Sequence, residues 1–274
     1  MPWDCGCDRR PGTFLYNAAP MNGTGAVRAA LDDLGGLGTL AWDTLRYGLR
    51  PPWGFVLFVD QLYAVGVMSL TITCIVALFT GLVIALQTTY SLANYGGQVF
   101  VGDMVALSIV RELGPVLTSL MIAGRVGAGI AAEIGSMVVT EQVDAIRALA
   151  ANPIKKLVVP RVLATLCMVP LLVVLANVIG IFGGLIIAVS EVGQTPAYYM
   201  QHVLKALTLD DIASGLIKSA VFAVLVALIA CHRGLTVSGG AAGVGAATTR
   251  AVVASSIAIL VSDFFITKLL LWLL

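Results

Sequence analysis

The stretch RELGPVLTSLMIAGRVGAGIAAEIGSMVVTEQVDAIRALAANPIKKLVVPR, residues 111–161, is charged and glycine-rich in a chain whose other long segments are apolar. Its first part, up to Ala123, is apolar enough to lie in a bilayer. The part from Gly124 to Lys156 has too many charges to remain there, so we predict that the chain leaves the membrane at Gly124. The charged residues of this part are Arg125, Glu133, Glu141, Asp144, Arg147, Lys155 and Lys156.

A short helix is predicted near the end of this stretch. Thr140 is a suitable N-cap, Glu141 suits the positive end of a helix dipole, and Asn152-Pro153 stops a helix. At a rise of ~1.5 Å per residue, residues 141–151 would extend only about 16 Å, too short to cross a bilayer. We therefore expect this helix to lie on the membrane surface or against a partner.

The composition indicates a polytopic membrane protein. Of the 274 residues, 59% are hydrophobic and only 11% are charged, whereas charged residues make up about 25% of soluble domains. The net charge of +1 gives no reason to expect a nucleic-acid partner. The five cysteines are scattered, and we expect neither a disulfide nor a metal site. Cys5 and Cys7 could bind a metal or carry a lipid, but a loose tail is the favoured interpretation.

The predicted fold is an all-α membrane protein in three parts. Residues 1–25 are predicted to form a flexible tail, residues 26–54 an interfacial amphipathic helix, and residues 55–274 a five-helix transmembrane domain. Glycines at 35, 36 and 38 are expected to break the amphipathic helix into two. The predicted spans are residues 62–86, 104–123, 162–190, 212–231 and 251–274, with a short helix around 196–207 between the third and the fourth.

Two further features follow from these spans. Gly180 and Gly184 form a GxxxG pair that would let another helix approach the third span closely.

Most of the 16 Lys and Arg residues fall before span one, between spans two and three, or between spans four and five. By the positive-inside rule, the N-terminus and residues 124–161 are then cytoplasmic, and the C-terminus is on the outer side.

Four charged residues remain inside the predicted spans. They are Arg111, Glu112, Lys218 and Asp263. Their two positive and two negative charges sum to zero, and a protein must neutralise ionised groups that it buries in a membrane. The rise per residue of a helix places all four at a similar depth, in one layer. Such a network either fixes helix packing or takes part in gating or substrate movement, and the two roles are compatible.

The sequence gives no indication of an enzyme. It contains no Walker A loop, HExxH or GxSxG motif. The GxGxxA string at residues 127–132 follows a membrane helix, so we reject a dinucleotide site. His202 and His232 are predicted at opposite membrane faces, where a lone histidine is usually only solvated.

The residues quoted above resemble the MlaE/YrbE family, the permease subunits of Mce-type ABC lipid transporters. The similarity covers most of the chain after the tail. The matching segments are RELGPV (111–116), AGRVGAGIAAEIGSM (123–137), TEQVDAI (140–146), NPIKKLVVPR (152–161), QLYAVGV (61–67), GLVIALQ (81–87), LIKSAVFA (216–223), ATTRAVVASS (247–256) and SDFF (262–265).

The resemblance implies a bacterial inner-membrane permease that works as a homodimer on a cytosolic ABC ATPase, which binds ATP and Mg²⁺. It also implies a periplasmic ring of MCE-domain subunits, expected to be a hexamer, and a small STAS-domain subunit in some systems. Phospholipid would occupy a cavity between the permease copies. The residues expected to line that cavity are Ile84, Gln87, Tyr90, Tyr95 and Leu113. The coupling helix would be residues 140–151, with Glu133, Glu141, Asp144 and Arg147 facing the ATPase.

Two other classes stay open on sequence alone. An ion-coupled secondary transporter would use Glu112, Lys218 and Asp263 as a proton relay, although that class commonly has internal repeats, which five unlike spans do not form. A structural or assembly protein without transport would tolerate the loss of these charges.

Overall fold

The computed structural model describes residues 23–48, 55–93 and 96–273. The calls on Cys5, Cys7 and Tyr95 lie outside these ranges. Within them the chain is helical, and five helical segments are long and apolar enough to cross a membrane, which confirms the predicted fold class. These segments are Leu57–Ala93, Gly97–Val139, Ile154–Ser190, Leu209–Leu235 and Gly240–Leu270.

Helix α1, Gly23–Gly48, covers the predicted amphipathic segment. It is a single helix, so the expected break at its glycines is wrong. Gly36 lies against His232, and Asp33 forms a 3.0 Å ion pair with Arg233, which ties α1 to the end of the fourth span. A helix held by such contacts tolerates glycines, each of which costs only about 1 kcal/mol.

The first span is longer than predicted and has a bend. Helix α2, Phe55–Val65, is followed by Gly66 and a 3₁₀ turn, Val67–Ser69, and then by helix α3, Leu70–Ala93. The span therefore begins before Leu62 and includes Asp60.

The second span also differs from the prediction. Helices α4 (Val101–Ser108), α5 (Gly114–Ile122) and α6 (Ala128–Val139) are joined by π-helical turns at Ile109–Leu113 and Ala123–Gly127. Together with a 3₁₀ turn at Gly97–Phe100 they form a rod of 43 residues, so the helix continues through Gly124, where the chain is predicted to leave the membrane. A helix of this length extends roughly 60 Å, about twice the hydrocarbon thickness, so much of α6 can project beyond the bilayer.

Helix α7, Gln142–Ala148, is the predicted short helix, but its boundaries differ. Thr140 is not its N-cap, because the Thr140 hydroxyl donates to the carbonyl of Ser136 and caps the end of α6. Glu141 (φ 59°) and Ala150 (φ 58°) adopt the left-handed conformation on either side of α7. The helix thus stops before Asn152-Pro153, since the backbone reverses at Ala150.

The remaining helices complete the bundle. After a π-helical turn at Ile154–Val158, helix α8 spans Val159–Ser190, and α9 (Pro196–Ala206) confirms the short helix expected between spans three and four. Helix α10 is Leu209–Leu235 and α11 is Gly240–Leu273. Helix α11 begins about three turns before the predicted Ala251, because the glycine- and alanine-rich segment from Gly240 is helical. We call the end of the bundle with α7 the α7 end and the opposite one the α9 end.

The GxxxG prediction is confirmed by the packing of α3 against α8. A Cβ on Gly81 would overlap the carbonyl oxygen of Gly180, so the two backbones are in direct contact. Gly184, the other member of the pair, faces α9 and α4 and not α3, because a Cβ there would lie 2.5 Å from the hydroxyl of Tyr199 and 2.8 Å from a methyl of Val105. The first and third spans therefore depend on glycine for their close approach.

We predict that Gly81→Ala lowers the stability of the purified protein by about 1–3 kcal/mol, because its methyl group must push α3 away from α8. The measurement is the midpoint of thermal unfolding in detergent. Gly245→Ala is the matched control, since a Cβ there meets nothing within 4 Å. Equal midpoints for the two variants would contradict the predicted contact.

Candidate functional site

A buried lysine joins three of the spans. Lys218 of α10 has a side chain that is 2% exposed, and its Nζ donates a 2.7 Å hydrogen bond to Oε2 of Glu112. The same Nζ lies 3.2 Å from Oδ1 of Asp263 in α11, an ion pair without hydrogen-bond geometry. We call Glu112, Lys218 and Asp263 the charged trio.

The local sequence explains how Lys218 reaches the second span. Pro115 has no N–H group, so the carbonyl of Arg111, four residues earlier, loses its usual helical donor. Lys218 Nζ donates to that carbonyl at 3.1 Å. Gly215, one turn before Lys218, allows the approach, because a Cβ there would lie 2.6 Å from the carbonyl oxygen of Val110. The sequence analysis did not identify Pro115 and Gly215 as site residues. The signal available for Pro115 was its position just after the charged pair Arg111-Glu112.

Arg111 does not join the trio. Its Nε donates to Oδ1 of Asp211 at 2.6 Å, and the Asp211 side chain is 6% exposed. Asp211 also forms a capping box with Thr208 at the start of α10. The prediction of one balanced cluster of four charges is therefore wrong: Arg111–Asp211 is a neutral pair, and the trio has one excess negative charge if all three groups are ionised. The sequence analysis did not count Asp211 among the charged residues of the spans, because the predicted fourth span begins one residue later, at Ile212.

The trio is open on one side. The Glu112 side chain is 42% exposed, although Lys218 is fully enclosed. The hydroxyl of Thr267 donates to the backbone carbonyl of Asp263 at 2.8 Å and lies 3.4 Å from Oε1 of Glu112. An accessible carboxylate beside a buried ammonium can exchange a proton or contact a polar ligand, while Lys218 fixes the three helices.

A narrow groove lies between α3, α5 and the first π-helical turn. It combines apolar side chains with threonine hydroxyls. Its lining includes Thr73, Val76, Ala77, Thr80, Ile109, Leu113, Leu117, Thr118 and Met121. Leu113, one of the predicted cavity residues, is thus in its wall.

The other described cavity candidates are on α3. Ile84 and Gln87 continue the helical face of Thr73, Ala77 and Thr80 toward the α9 end. Ile84 is half-buried against a core cluster, and Gln87 is exposed. Tyr90, one turn further, is 66% exposed. The structure therefore places these residues along one line from the groove to the α9 end, without enclosing them within a single chain.

The α7 end has an exposed polar and apolar surface. Asp144 and Arg147 are exposed and pair with each other at 2.9 Å, and Glu141 is exposed before them. Leu149 is 80% exposed. Beside it is a cleft lined by Arg147, Ala150, Ala151, Asn152, Pro153, Ile154 and Leu235.

Glu133 occupies a different environment from the other residues predicted to face an ATPase. It lies on α6, and its Oε2 accepts a 2.9 Å hydrogen bond from the buried Arg161 at the start of α8. Its carboxylate thus joins two helices of the bundle, even though the side chain remains about half exposed. The sequence analysis grouped it with Glu141, Asp144 and Arg147 only by its position in the chain.

The α9 end contains a histidine that is not simply solvated. Nδ1 of His202 lies 3.1 Å from Oδ1 of Asp103, and the ring packs near Phe100 and Tyr198. Burial raises the pKa of the neighbouring Tyr199 phenol above its ordinary value, and its hydroxyl donates to the carbonyl of Ile181. Helix α9 is therefore fixed on α4 and α8 by polar contacts. In the part of the chain that the structure describes, no three metal-ligating side chains form a group.

Five apolar spans, an intramembrane charged trio and a short helix projecting at one end define a polytopic membrane protein with the architecture of a transport permease. Residues 58–269 match the family described as Permease MlaE. The chain belongs to this family.

Several relatives match the sequence of the chain over most of their own length. The chain is 41% identical over 256 residues, 93% of it and 98% of the relative, to a "Probable ABC transporter permease protein" of Rickettsia bellii. It is 45% identical over 212 residues, 77% of it and 81% of the relative, to a probable ABC transporter permease protein of Synechocystis. It is 37% identical over 217 residues, 79% of it and 83% of the relative, to the "Intermembrane phospholipid transport system permease protein MlaE" of Haemophilus influenzae.

We predict that Lys218→Met destabilises the protein by about 3–5 kcal/mol, because it leaves two carboxylates at membrane depth without a counter-charge. The triple variant Glu112→Gln, Lys218→Met, Asp263→Asn should recover most of that loss, since it removes the charges together. Thermal unfolding in detergent measures both. Lys205→Met is the control for loss of an exposed lysine, and a Lys218→Met variant as stable as this control would rule out the ion-pair interpretation.

Proposed function

We propose that this chain is the membrane subunit of an ABC transporter that moves phospholipid between a bacterial inner membrane and periplasmic MCE-domain partners. The observation that carries the proposal is its membership of the MlaE permease family over nearly all of the bundle. A relative covered over 83% of its length is named as a phospholipid transport permease. The chain itself is then non-catalytic, and ATP and Mg²⁺ bind to a separate cytosolic ATPase.

In this proposal α7 is the coupling helix and lies in the cytoplasm. Three observations support this role. With 7 residues, α7 is far too short to cross a bilayer. It follows α6 directly, so a force on α7 acts on the second span. Leu149 exposes most of its side chain next to a cleft, which is the type of apolar anchor that a partner protein buries.

The groove and the line of residues on α3 are the proposed lipid path. Threonine hydroxyls and apolar side chains suit a molecule with a polar head and apolar tails. Because Gln87 and Tyr90 stay exposed in one chain, we propose that a second copy completes the cavity in a homodimer. The periplasmic partner, expected to be a hexamer of MCE-domain subunits, would receive lipid at the α9 end, and a small STAS-domain subunit would bind the ATPase.

The proposed orientation puts the N-terminus in the cytoplasm and the C-terminus in the periplasm. The basic residues near the α7 end support it, among them Lys155, Lys156 and Arg161. The lipid-facing surface of the bundle is apolar, as this location requires. Phe79, Phe264 and Phe265, for example, are each at least 60% exposed.

The function is tested by reconstituting the chain with its ATPase in liposomes that contain a fluorescent phospholipid. We expect lipid transfer to an added MCE-domain acceptor that requires ATP and Mg²⁺ and is insensitive to a protonophore. Transfer that continues without ATP and stops with the protonophore would instead identify the ion-coupled secondary transporter, in which the charged trio carries protons.

We predict that Leu149→Asn reduces binding of the ATPase about tenfold, because it removes an apolar anchor from the contact. The matched control is Leu204→Asn, which changes a leucine that is 70% exposed at the α9 end. Titration of purified ATPase against each detergent-solubilised variant gives the two affinities. If Leu204→Asn were the variant that lost binding, the proposed orientation would be inverted.

A further inference from the structure

The bend in the first span is held tightly in place. The N–H of Gly66 donates to the carbonyl of Leu62 at 2.8 Å, and the N–H of Ser69 donates to the carbonyl of Gly66 at 3.0 Å. A Cβ on Gly66 would overlap the end of the Met168 side chain in α8 and lie 2.9 Å from the carbonyl oxygen of Leu62. The close contact with Met168 therefore requires glycine at the centre of the bend.

Arg125 of the second span bonds to both sides of this bend. Its Nη1 donates a 2.7 Å hydrogen bond to Oγ of Ser69 and a 3.3 Å hydrogen bond to the carbonyl of Ala64. Ser69 is 1% exposed. Hydrogen bonds from an ionised donor are about twice as strong as neutral ones, and they are strongest where water is excluded. One guanidinium nitrogen thus connects α2 to the last residue of the 3₁₀ turn, immediately before α3 begins.

The position of Arg125 links two moving parts of the proposed transporter. It lies in the π-helical turn where α6 begins, and α6 leads directly to α7, about 20 Å further along the helix axis. On the other side, α3 begins immediately after Ser69, and Thr73, one turn later, lines the groove. A displacement of α6 therefore acts through Arg125 on the helix that forms the groove wall.

We infer that Arg125 is a positioning residue for transport, which transmits movement of α7 and α6 to α3 through the bend at Gly66. This inference rests on the proposed function, because it requires an ATPase acting at α7. Arg125 does not contact lipid or nucleotide in this mechanism. Its loss should separate ATP hydrolysis from lipid movement, whereas a purely structural role would reduce both through loss of folded complex.

The experiment compares complexes of the full chain with its ATPase in liposomes, measuring ATP hydrolysis and lipid transfer in the same preparation. For Arg125→Gln we expect hydrolysis within about twofold of wild type and lipid transferred per ATP reduced at least about tenfold, the size of effect set by losing a charged hydrogen bond. Arg125→Lys keeps the charge and a donor, so it should recover part of the ratio. Arg250→Gln, which changes an exposed arginine of α11, is the matched control.

Ser69→Ala tests the same contact from the other side with a change too small to prevent folding. It should lower the transfer ratio less than Arg125→Gln does, and the double variant should match Arg125→Gln alone, because both changes remove one interaction. If Arg125→Gln does not accumulate, Ser69→Ala decides: a lowered ratio supports the inference and an unchanged ratio overturns it.

Two other results would overturn the inference. Hydrolysis and transfer in Arg125→Gln that fall by the same factor would assign Arg125 a structural role only, and an unchanged ratio would assign it none. A wild-type complex that hydrolyses ATP without moving lipid would instead refute the proposed function. The wild-type measurement therefore separates failure of the function from failure of this inference.

Discussion

The bundle depends on compensating one buried charge at membrane depth, the ammonium group of Lys218. An unpaired charge there costs at least about 2.5 kcal/mol, so the helices around it must supply acceptors. Glu112 on the second span accepts a hydrogen bond and supplies a counter-charge, and Asp263 on the fifth supplies a second counter-charge. Because these carboxylates belong to different helices, one side chain fixes the relative positions of three spans.

The backbone supplies a further hydrogen-bond acceptor, the carbonyl of Arg111, because Pro115 has no N–H group. Pro115 leaves the Arg111 carbonyl without an intrahelical donor, and Lys218 takes that place. In a membrane no water is available to donate a hydrogen bond to such a carbonyl. The Lys218 ammonium group supplies that donor, and the carbonyl supplies the ammonium group with an acceptor. The glycine at 215 completes the arrangement by allowing contact between the helices.

The sequence predicted the number and approximate positions of the spans, since long apolar runs have few alternatives in a bilayer. It was less accurate where a charge is satisfied locally. The charges that begin at Arg125 predicted that the chain leaves the membrane at Gly124, but they did not reveal that the Arg125 guanidinium bonds to Ser69 and Ala64 of the first span or that the helix continues past it. Asp211 was assigned to a loop, yet it caps α10 and pairs with Arg111. Such pairings need knowledge of which helices are neighbours, which the hydropathy of one segment does not contain.

The π-helical turns show how the charges and the helix geometry are related. Each of the three turns contains a charged side chain: Arg111 and Glu112 in the first, Arg125 in the second, Lys155 and Lys156 in the third. A π turn inserts one residue, which rotates the following helix by about 100° and re-aims the side chains beside it. The second span can therefore direct Glu112 toward Lys218 and Arg125 toward the first span, while the residues between them still pack in a regular helix. Because a π turn has weaker backbone hydrogen bonding than an α-helix, the turns are also the positions where this rod can bend, and the two inside the second span lie beside the groove and the bend at Gly66.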